Sequence, residues 1–175
     1  IEADIVTFEG NTPLYYVAGG GKDAAIIDFF LERGVNPNQV NKDGNNAFLN
    51  AARYSNMDMM KKLAPMVKDI NQANKDGYTA LTYSVMRNNT KAFEFLMDKG
   101  AKMDVMDAKG RNLVYHAFKS YRSRDAKAFE TVLEMAKENG LAMTPTYEGN
   151  NTLAHMAVQE GEIDLPKKAL ELGVD

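Results

Sequence analysis

One segment has the composition of a phosphate-binding site: the run Gly19-Gly20-Gly21 followed by Lys22. Backbone amides of such a run cradle phosphate oxygens, and the lysine neutralises their charge. That loop also needs a leading glycine five residues before the last glycine and a Ser or Thr after the lysine. Tyr16 and Asp23 hold those positions, and a carboxylate beside the lysine would repel a phosphate. We therefore expect a flexible break between two helices at this run.

The two histidines, His116 and His155, are the other candidates for chemistry, as acid–base groups or as metal ligands. Neither has a second histidine or a carboxylate at the spacing of a metal site. The chain has no Cys, which excludes disulfides, thiolate zinc sites and a cysteine nucleophile. The sequence therefore predicts no catalytic residue, no metal site and no cofactor, and it predicts a structural role for both histidines.

Composition places the chain among ordinary globular proteins. Its 175 residues carry 21 Lys and Arg against 24 Asp and Glu, and 45% of them are hydrophobic. This is enough apolar chain for a core and too little net charge for a disordered or nucleic-acid-coating segment. The length predicts one domain.

An internal repeat organises the chain. A glycine preceded by an acidic residue or Lys recurs at Gly10, Gly44, Gly77, Gly110 and Gly149, with spacings of 34, 33, 33 and 39 residues. Each glycine precedes a short apolar run, a polar break and a second apolar run. Helices of about ten residues are marginal alone in water, so these must bury their apolar faces against neighbouring units. We predict an all-α solenoid of stacked helix-turn-helix units, forming one domain over residues 1–175. Its units are predicted at 9–42, 43–75, 76–108, 109–147 and 148–175, with residues 1–8 as the tail of a preceding unit.

Local signals place helix ends within these units. In the third unit, Thr90 is the predicted N-cap of a helix over Lys91–Lys99, and Gly100 is its left-handed stop. In the second unit, the helical spacing of a methionine cluster predicts that at least two of its members face the core. The cluster comprises Met57, Met59 and Met60.

These motifs resemble the ankyrin repeat family, whose repeat has a turn with Gly, then Thr-Pro-Leu-His, and a second helix that ends before Gly-Ala-Asp. The matching segments are Gly10-Asn11-Thr12-Pro13-Leu14, Gly77-Tyr78-Thr79-Ala80-Leu81, Thr152-Leu153-Ala154-His155, Gly34-Val35-Asn36-Pro37-Asn38 and Gly100-Ala101-Lys102-Met103-Asp104. The resemblance covers essentially the whole chain. It implies an ankyrin-type solenoid with β-turn or hairpin tips, in which His155 ties neighbouring turns together. It also implies a non-catalytic scaffold that binds a protein partner on a concave face formed by the tips and the first helices.

The sequence departs from the family pattern at several places. Asn46 and Asn112 stand where the family has Thr, and Pro65 should end the second helix of its unit early. The fourth unit is six residues longer than its neighbours, and Pro166 predicts a late-starting second helix in the fifth. Neither end of the chain has the polar outer face that seals a solenoid, so we expect a longer array.

The resemblance implies that partner contacts come from the tips and from the ends of the first helices. Arg and Tyr at such positions are typical of interface hot spots, although the same residues also suit a solvated face. The predicted partner-binding residues are Lys42, Asn45, Arg53, Tyr54, Lys75, Tyr78, Met86, Arg87, Lys109, Arg111, Lys119, Tyr121 and Arg122.

A basic patch lies at residues 109–127, which carry six cations and one acid, a local charge of +5. The patch favours an acidic protein partner, and nucleic acid is an alternative. Tyr115 and Phe118 within it are predicted to pack between helices. Another alternative is that the chain is the interaction or targeting module of a larger enzyme or toxin. We expect a monomer, and the irregular repeats without Cys suggest a bacterial source.

Overall fold

The computed structural model describes residues 5–21, 23–121 and 127–139, together with the isolated positions 155, 158, 159, 161, 167 and 171. Within the described chain, the α-helices are α1 (Pro13–Gly20), α2 (Ala25–Leu31), α3 (Ala47–Arg53), α4 (Met57–Leu63), α5 (Ala80–Met86), α6 (Thr90–Asp98), α7 (Leu113–Tyr121) and α8 (Lys127–Glu138). The first helices of the pairs, α1, α3, α5 and α7, pack side by side, and each contacts the second helix of its own pair. This arrangement confirms the predicted all-α fold of stacked helix pairs.

Each first helix begins at a Thr or Asn whose side-chain oxygen accepts a hydrogen bond from the amide three residues further on. The capping residues are Thr12, Asn46, Thr79 and Asn112, with donor–acceptor distances of 3.2, 2.9, 3.2 and 3.0 Å. Asn is as good an N-cap as Thr because its amide oxygen reaches the same backbone donor. The two departures from the family's Thr therefore keep the helix start in place.

The second helix α6 begins one residue earlier than the sequence predicts. Asn89 Oδ1 accepts from Ala92 N at 3.0 Å and caps a helix that starts at Thr90. The prediction of Thr90 as the cap of a helix over Lys91–Lys99 is therefore wrong, because the Asn before it supplies the stronger acceptor. The predicted stop at Gly100 is confirmed, since this residue has a φ of 83°.

The segment around α4 follows the sequence closely. The helix ends at Leu63, and a 3-10 turn over Ala64–Met66, which contains the proline, follows it, confirming the predicted early end. Met59 and Met60 are fully buried, and Met57 packs partly buried against the core. The methionines therefore fill space between helices, as predicted.

The glycine run differs from the expected flexible break. Gly19 and Gly20 are the last two residues of α1, and at Gly19 the neighbouring helix α3 leaves no room for a side chain. A Cβ on Gly19 would lie 2.5 Å from Asn50 Nδ2, and that same nitrogen donates to the Tyr15 carbonyl oxygen at 2.8 Å. The run therefore serves helix packing at its first glycine. Lys22 lies outside the described residues.

Hairpin tips connect the helix pairs, and each is closed by one side chain. Asn41, Asn74 and Asp107 stand three residues before a turn glycine, and the Oδ1 of each accepts from the backbone amides two and four residues on. These six distances lie between 2.9 and 3.0 Å. The amide of each of the three also donates to the carbonyl four residues on, at 2.9 to 3.1 Å. Asn and Asp suit this place because their short side chains reach nearby backbone amides.

Neighbouring tips are joined by their backbones. Lys42 N donates to the Glu9 carbonyl oxygen at 2.9 Å, and Lys75 N donates to the Asp43 carbonyl oxygen at 2.8 Å. The next step repeats the contact, from Ala108 N to the Asp76 carbonyl oxygen at 2.8 Å. These hydrogen bonds set the spacing of the tips along the stack.

The turn at Gly77 depends on glycine for two reasons. Its φ of 78° lies in the left-handed region, which side chains other than glycine rarely adopt. A Cβ at this position would also lie 2.6 Å from Asp107 Cα and 2.7 Å from Ala108 N. The backbone of the tip closed by Asn74 therefore packs directly against the backbone of the tip closed by Asp107.

The fourth helix pair is longer than the others. Its first helix α7 has nine residues and its second helix α8 has twelve, so extra residues of this unit lengthen its helices. Residues 122–126 between the two lie outside the described part, and so does the predicted late-starting helix at Pro166.

We predict that Gly77→Ala lowers the free energy of unfolding by about 2–5 kcal/mol. A left-handed backbone costs a side chain about 1–2 kcal/mol, and steric overlap adds about 1–3 kcal/mol. The matched control is Gly100→Ala, because Gly100 has a φ of 83° but open space where a Cβ would stand. It should cost only the first of these amounts, as measured by urea denaturation.

Equal losses in the two variants would contradict backbone packing between tips. Hydrogen exchange should show faster exchange in both helix pairs beside Gly77, because each pair of a stacked array is stabilised by its neighbours.

Candidate functional site

A groove of about 420 Å³ lies between the hairpin tips and the first helices of the second and third helix pairs. We call it the tip–helix groove. Its lining residues are Asp43, Asn45, Arg53, Asn74, Asp76, Tyr78, Tyr83, Met86 and Arg87.

The tip–helix groove has carboxylates from the tips and guanidiniums from the helices. Asp43 and Asp76 belong to successive tips, Arg53 ends α3, and Arg87 follows the last residue of α5. All four residues are exposed. Arg87 Nε donates to the Arg53 carbonyl oxygen at 2.7 Å, which holds Arg87 at the C-terminal end of α3, where the helix dipole favours a cation.

Buried polar groups form the floor of the groove. Asn74 Nδ2 donates to Asn45 Oδ1 at 3.0 Å and to the Tyr83 hydroxyl at 3.1 Å. All three residues are buried, with Asn74, the most accessible, 8% exposed. Burial raises the pKa of the Tyr83 phenol, so the hydroxyl stays protonated at neutral pH. These mutual hydrogen bonds hold the floor in one arrangement.

One apolar side chain reaches solvent within the groove. Met86, the last residue of α5, is 39% exposed. Tyr78 is half-buried nearby among the lining residues, and its ring meets the Tyr83 ring edge-on with centroids 5.7 Å apart. The groove therefore combines opposite charges with a thioether and aromatic carbon, which are surfaces that bind apolar side chains.

Five predicted partner-binding residues line the tip–helix groove, namely Asn45, Arg53, Tyr78, Met86 and Arg87. Asn45 is only 5% exposed, which corrects the expectation that it is a free tip residue. Its side chain is held by the next tip, a contact across 29 residues of sequence that a local pattern does not reveal.

The remaining predicted residues lie outside the groove lining. Those exposed elsewhere are Tyr54, Lys42, Lys75 and Lys109, and Lys119 is half-buried in α7. Arg122 and the side chain of Tyr121 lie outside the described residues.

Sequence reasoning missed two residues of the floor, Asn74 and Tyr83. A signal for the first is present in the sequence, because Asn41, Asn74 and Asp107 recur at 33-residue intervals. Tyr83 has no such signal, since Asn50 and His116 stand at the corresponding positions. Its role comes from the particular neighbour that it meets.

A second polar cluster joins the third and fourth helix pairs. The Asp107 carboxylate is fully buried and accepts from Arg111 Nε at 2.6 Å. His116 Nε2 lies 3.1 Å from the same oxygen, Oδ2, and Arg111 Nη2 donates to the Tyr78 hydroxyl at 3.1 Å. Arg111 and Tyr78 are therefore tied into a structural network, whereas the sequence presented both as partner-binding residues.

The charges of this cluster are set by burial and by hydrogen bonds. Burial raises the pKa of Asp107, but hydrogen bonds from the backbone and side chain of Arg111 outweigh it and hold this pKa below its ordinary value. Burial lowers the pKa of His116, although the Asp107 charge opposes the shift. His116 is therefore neutral at pH 7, and its Nε2–H donates to the carboxylate. This is the structural role predicted for it.

The network also changes the prediction of a basic patch. The Arg111 charge is compensated by Asp107, a residue just before the patch. Arg122 and Arg124 lie outside the described residues, as does the side chain of Lys127. Tyr115 and Phe118 are 8% and 3% exposed, which confirms that they pack between helices and are not free to stack on bases.

The described residues hold no group of three or more His, Cys, Asp or Glu side chains placed to bind a metal ion. No helix in this part of the chain is both long and apolar enough to cross a bilayer. His116 is 5% exposed, so its ring is closed to a substrate in this structure. Among the described residues, the tip–helix groove presents exposed charged side chains together with an exposed thioether.

Comparison with known proteins adds the family context. A family model described as ankyrin repeats (3 copies) matches residues 14–107 and 49–139. Human transient receptor potential cation channel subfamily A member 1 is 30% identical over 169 residues, which cover 94% of this chain and 15% of the relative. Phosphocholine transferase AnkX of Legionella pneumophila is 27% identical over 125 residues, which cover 68% of this chain and 13% of the relative. Putative palmitoyltransferase ZDHHC13 of Danio rerio is 25% identical over 164 residues, which cover 93% of this chain and 25% of the relative.

These relatives are much longer than the matched region. The chain spans a quarter or less of their length. They come from two vertebrates and a bacterium, so a bacterial source stays a prediction.

We predict that Arg111→Ala lowers the free energy of unfolding by about 1.5–3 kcal/mol. Hydrogen bonds to charged groups contribute about this much, and the variant leaves the buried Asp107 carboxylate without its cation. Lys91→Ala is the control, because that exposed side chain should contribute about 0.5 kcal/mol or less. Urea denaturation at pH 7 compares the two. Similar losses would show that Arg111 contributes no more to stability than an exposed lysine.

A second prediction concerns acid stability. The unfolded chain binds a proton at the ordinary pKa of His116, 6.5, whereas the folded chain resists it because its pKa is lower. The free energy of unfolding should therefore fall as pH decreases from 6.5 towards 5. Asp107 contributes little there, since its depressed pKa keeps its stabilisation intact above its ordinary value of 3.8.

The test is urea denaturation between pH 7.5 and 5 with His116→Gln as the comparison. This variant keeps a side-chain amide donor for Asp107 but does not titrate, so its stability should vary less with pH. Identical pH dependence in the two proteins would contradict the buried neutral state of His116.

Proposed function

We propose that this chain, which belongs to the ankyrin repeat family, is a non-catalytic interaction module that binds a protein partner in the tip–helix groove. Family membership is the premise, because ankyrin repeats are generally protein–protein interaction modules. The observation that carries the proposal is the groove itself, with exposed charges and an exposed methionine over a hydrogen-bonded floor. A preformed surface binds with little ordering cost to itself.

The composition of the groove supports this function. Interface cores are enriched in Arg, Tyr and Met, and the groove has Arg53, Arg87, Tyr78 and Met86 among its lining residues. Two of these are fixed by hydrogen bonds before any partner arrives, since Arg87 donates to α3 and Tyr78 accepts from Arg111.

The relatives support a place within a larger protein. Their names describe a cation channel, a phosphocholine transferase and a putative palmitoyltransferase. These names denote unlike activities, and the region shared with this chain is at most a quarter of each. We therefore propose that the chain serves as the interaction or targeting module of a longer protein, and that any chemistry lies outside these residues.

A nucleic-acid-binding surface is less well supported. The exposed Asp43 and Asp76 would repel phosphates at the groove, and the cation Arg111 is paired with a buried carboxylate. Phosphate contacts dominate affinity for nucleic acids, so a face with exposed carboxylates is a poor substitute for a continuous basic surface.

We expect a photo-reactive benzoylphenylalanine in place of Met86 to cross-link to a partner protein in extracts of the source cells. The same residue in place of Lys91 is the matched control, because Lys91 is exposed on α6 and does not line the groove. Cross-linked products are measured by mass spectrometry. Arg53→Ala with Arg87→Ala should reduce the Met86 cross-link, while Lys91→Ala with Glu94→Ala should leave it unchanged.

Cross-links that form equally from both positions, or only from position 91, would overturn binding in the tip–helix groove. A thermal melt of each variant checks that a lost cross-link does not come from unfolding.

A further inference from the structure

We propose that the tip–helix groove takes an extended peptide segment with both basic and acidic side chains around an apolar residue. This inference rests on the proposed function and replaces the expected acidic partner by one of mixed charge. It follows from the charges that the groove leaves unpaired, from their arrangement in two rows, and from the methionine that is exposed beside them.

The tip side of the groove favours positively charged partner groups. Asp43 and Asp76 are exposed, and among the described residues no hydrogen bond or ion pair engages either carboxylate. Their backbone carbonyls accept the hydrogen bonds that join neighbouring tips, so each carboxylate is attached to a fixed point. Two carboxylates on successive tips attract a Lys or Arg side chain and repel an acidic one.

The helix side of the groove favours negatively charged partner groups. Arg53 and Arg87 are exposed, and neither forms an ion pair within 4.0 Å with a described carboxylate. Arg87 uses Nε on the α3 carbonyl, and its two terminal nitrogens can still donate to a partner carboxylate. Guanidinium groups bind carboxylates with paired, directional hydrogen bonds.

The groove has two exposed carboxylates and two exposed guanidiniums that form no ion pairs with each other. This arrangement disfavours a partner whose charges all have the same sign. A polyanion would meet two carboxylates, and a polycation would meet two guanidiniums. Juxtaposed like charges suppress wrong partners strongly. A segment with both signs is attracted on both sides, provided that its cation faces the tips and its anion faces the helices.

The partner must also offer an apolar side chain. Met86 is 39% exposed within the groove lining, and a flexible, polarisable thioether adapts to apolar groups of different shape. The half-buried Tyr78 ring lies in the same lining. An apolar residue between the two charges of the partner would cover this surface.

An extended segment fits the dimensions of the site. The lining comes from two successive helix pairs, whose first helices α3 and α5 pack together. Packed helices lie about 8–10 Å apart, and an extended chain rises about 3.3 Å per residue. About three residues therefore pass from one pair to the next, and successive side chains of an extended segment point to opposite sides. Such a segment presents one side to the tips and the other to the helices.

The test is selection of linear 12-residue peptides from a random phage-displayed library on the purified protein. The enriched peptides are then synthesised with a fluorescent label, and their binding is measured by fluorescence anisotropy. The proteins compared are the native chain, Asp43→Asn with Asp76→Asn, Arg53→Gln with Arg87→Gln, and the control Lys91→Gln with Glu94→Gln. The control pair is exposed on α6, outside the groove lining.

We expect the enriched peptides to contain a basic, an apolar and an acidic residue within about five positions. Each groove variant should weaken their binding about tenfold, because it removes two charges that would form exposed ion pairs with the peptide. The control variant should leave their binding unchanged. Asp43→Lys with Asp76→Lys should shift the preference of the protein towards acidic peptides.

Peptides that need the groove residues but carry one sign of charge or none would overturn this inference and leave the proposed function standing. An absence of enrichment would overturn this inference alone, whereas peptides that bind equally well to every variant would overturn both proposals. Circular dichroism of each variant confirms that a loss of binding reflects charge and not unfolding.

Discussion

The hydrogen bond between successive hairpin tips is the constraint on which the rest of this structure depends. In each step an amide of one tip donates to the carbonyl of the tip before it, as from Lys75 to Asp43 at 2.8 Å. That contact requires the turn glycine to leave room for the next backbone. It also positions part of the tip–helix groove, because Asp43 and Asp76 accept these bonds with their backbone carbonyls and line the groove. The spacing that holds the stack together therefore also sets the spacing of these two acidic residues.

Much of this architecture could be predicted from the sequence because its causes are local. The recurring glycine marks a backbone conformation that only glycine adopts readily, and a Thr or Asn at a helix start reports its own cap. Pro65 ends α4 through a rule of covalent geometry. Even the error at α6 is local, since Asn89 and Thr90 are both good caps and the helix uses the first of them.

The candidate site was less predictable because burial is decided by residues about 30 positions away. Asn45, Tyr78 and Arg111 occupy corresponding tip positions in the sequence, yet they differ in burial and in the residues that they contact. Asn45 is covered because Asn74 reaches it, and Arg111 turns inward because Asp107 offers a buried carboxylate. Arg53 and Arg87 stay exposed, as the sequence predicts. A repeat locates equivalent positions, whereas the neighbour in the next unit decides whether a side chain stays exposed or forms contacts within the protein.

The change from Asn to Asp in the fourth tip explains how two polar clusters coexist without disturbing each other. Asn74 is neutral: its Oδ1 closes the tip by accepting from backbone amides, and its Nδ2 donates to Asn45 and Tyr83 in the floor of the groove. Asp107 has no donor to give, so its second oxygen draws in Arg111 and His116 instead. The positive charge of Arg111 is thereby neutralised within the structure, and Arg111 contacts the groove lining through the hydroxyl of Tyr78. Arg53 and Arg87 differ from Arg111 because no described carboxylate lies within 4.0 Å of either, so their charges stay exposed in the groove lining.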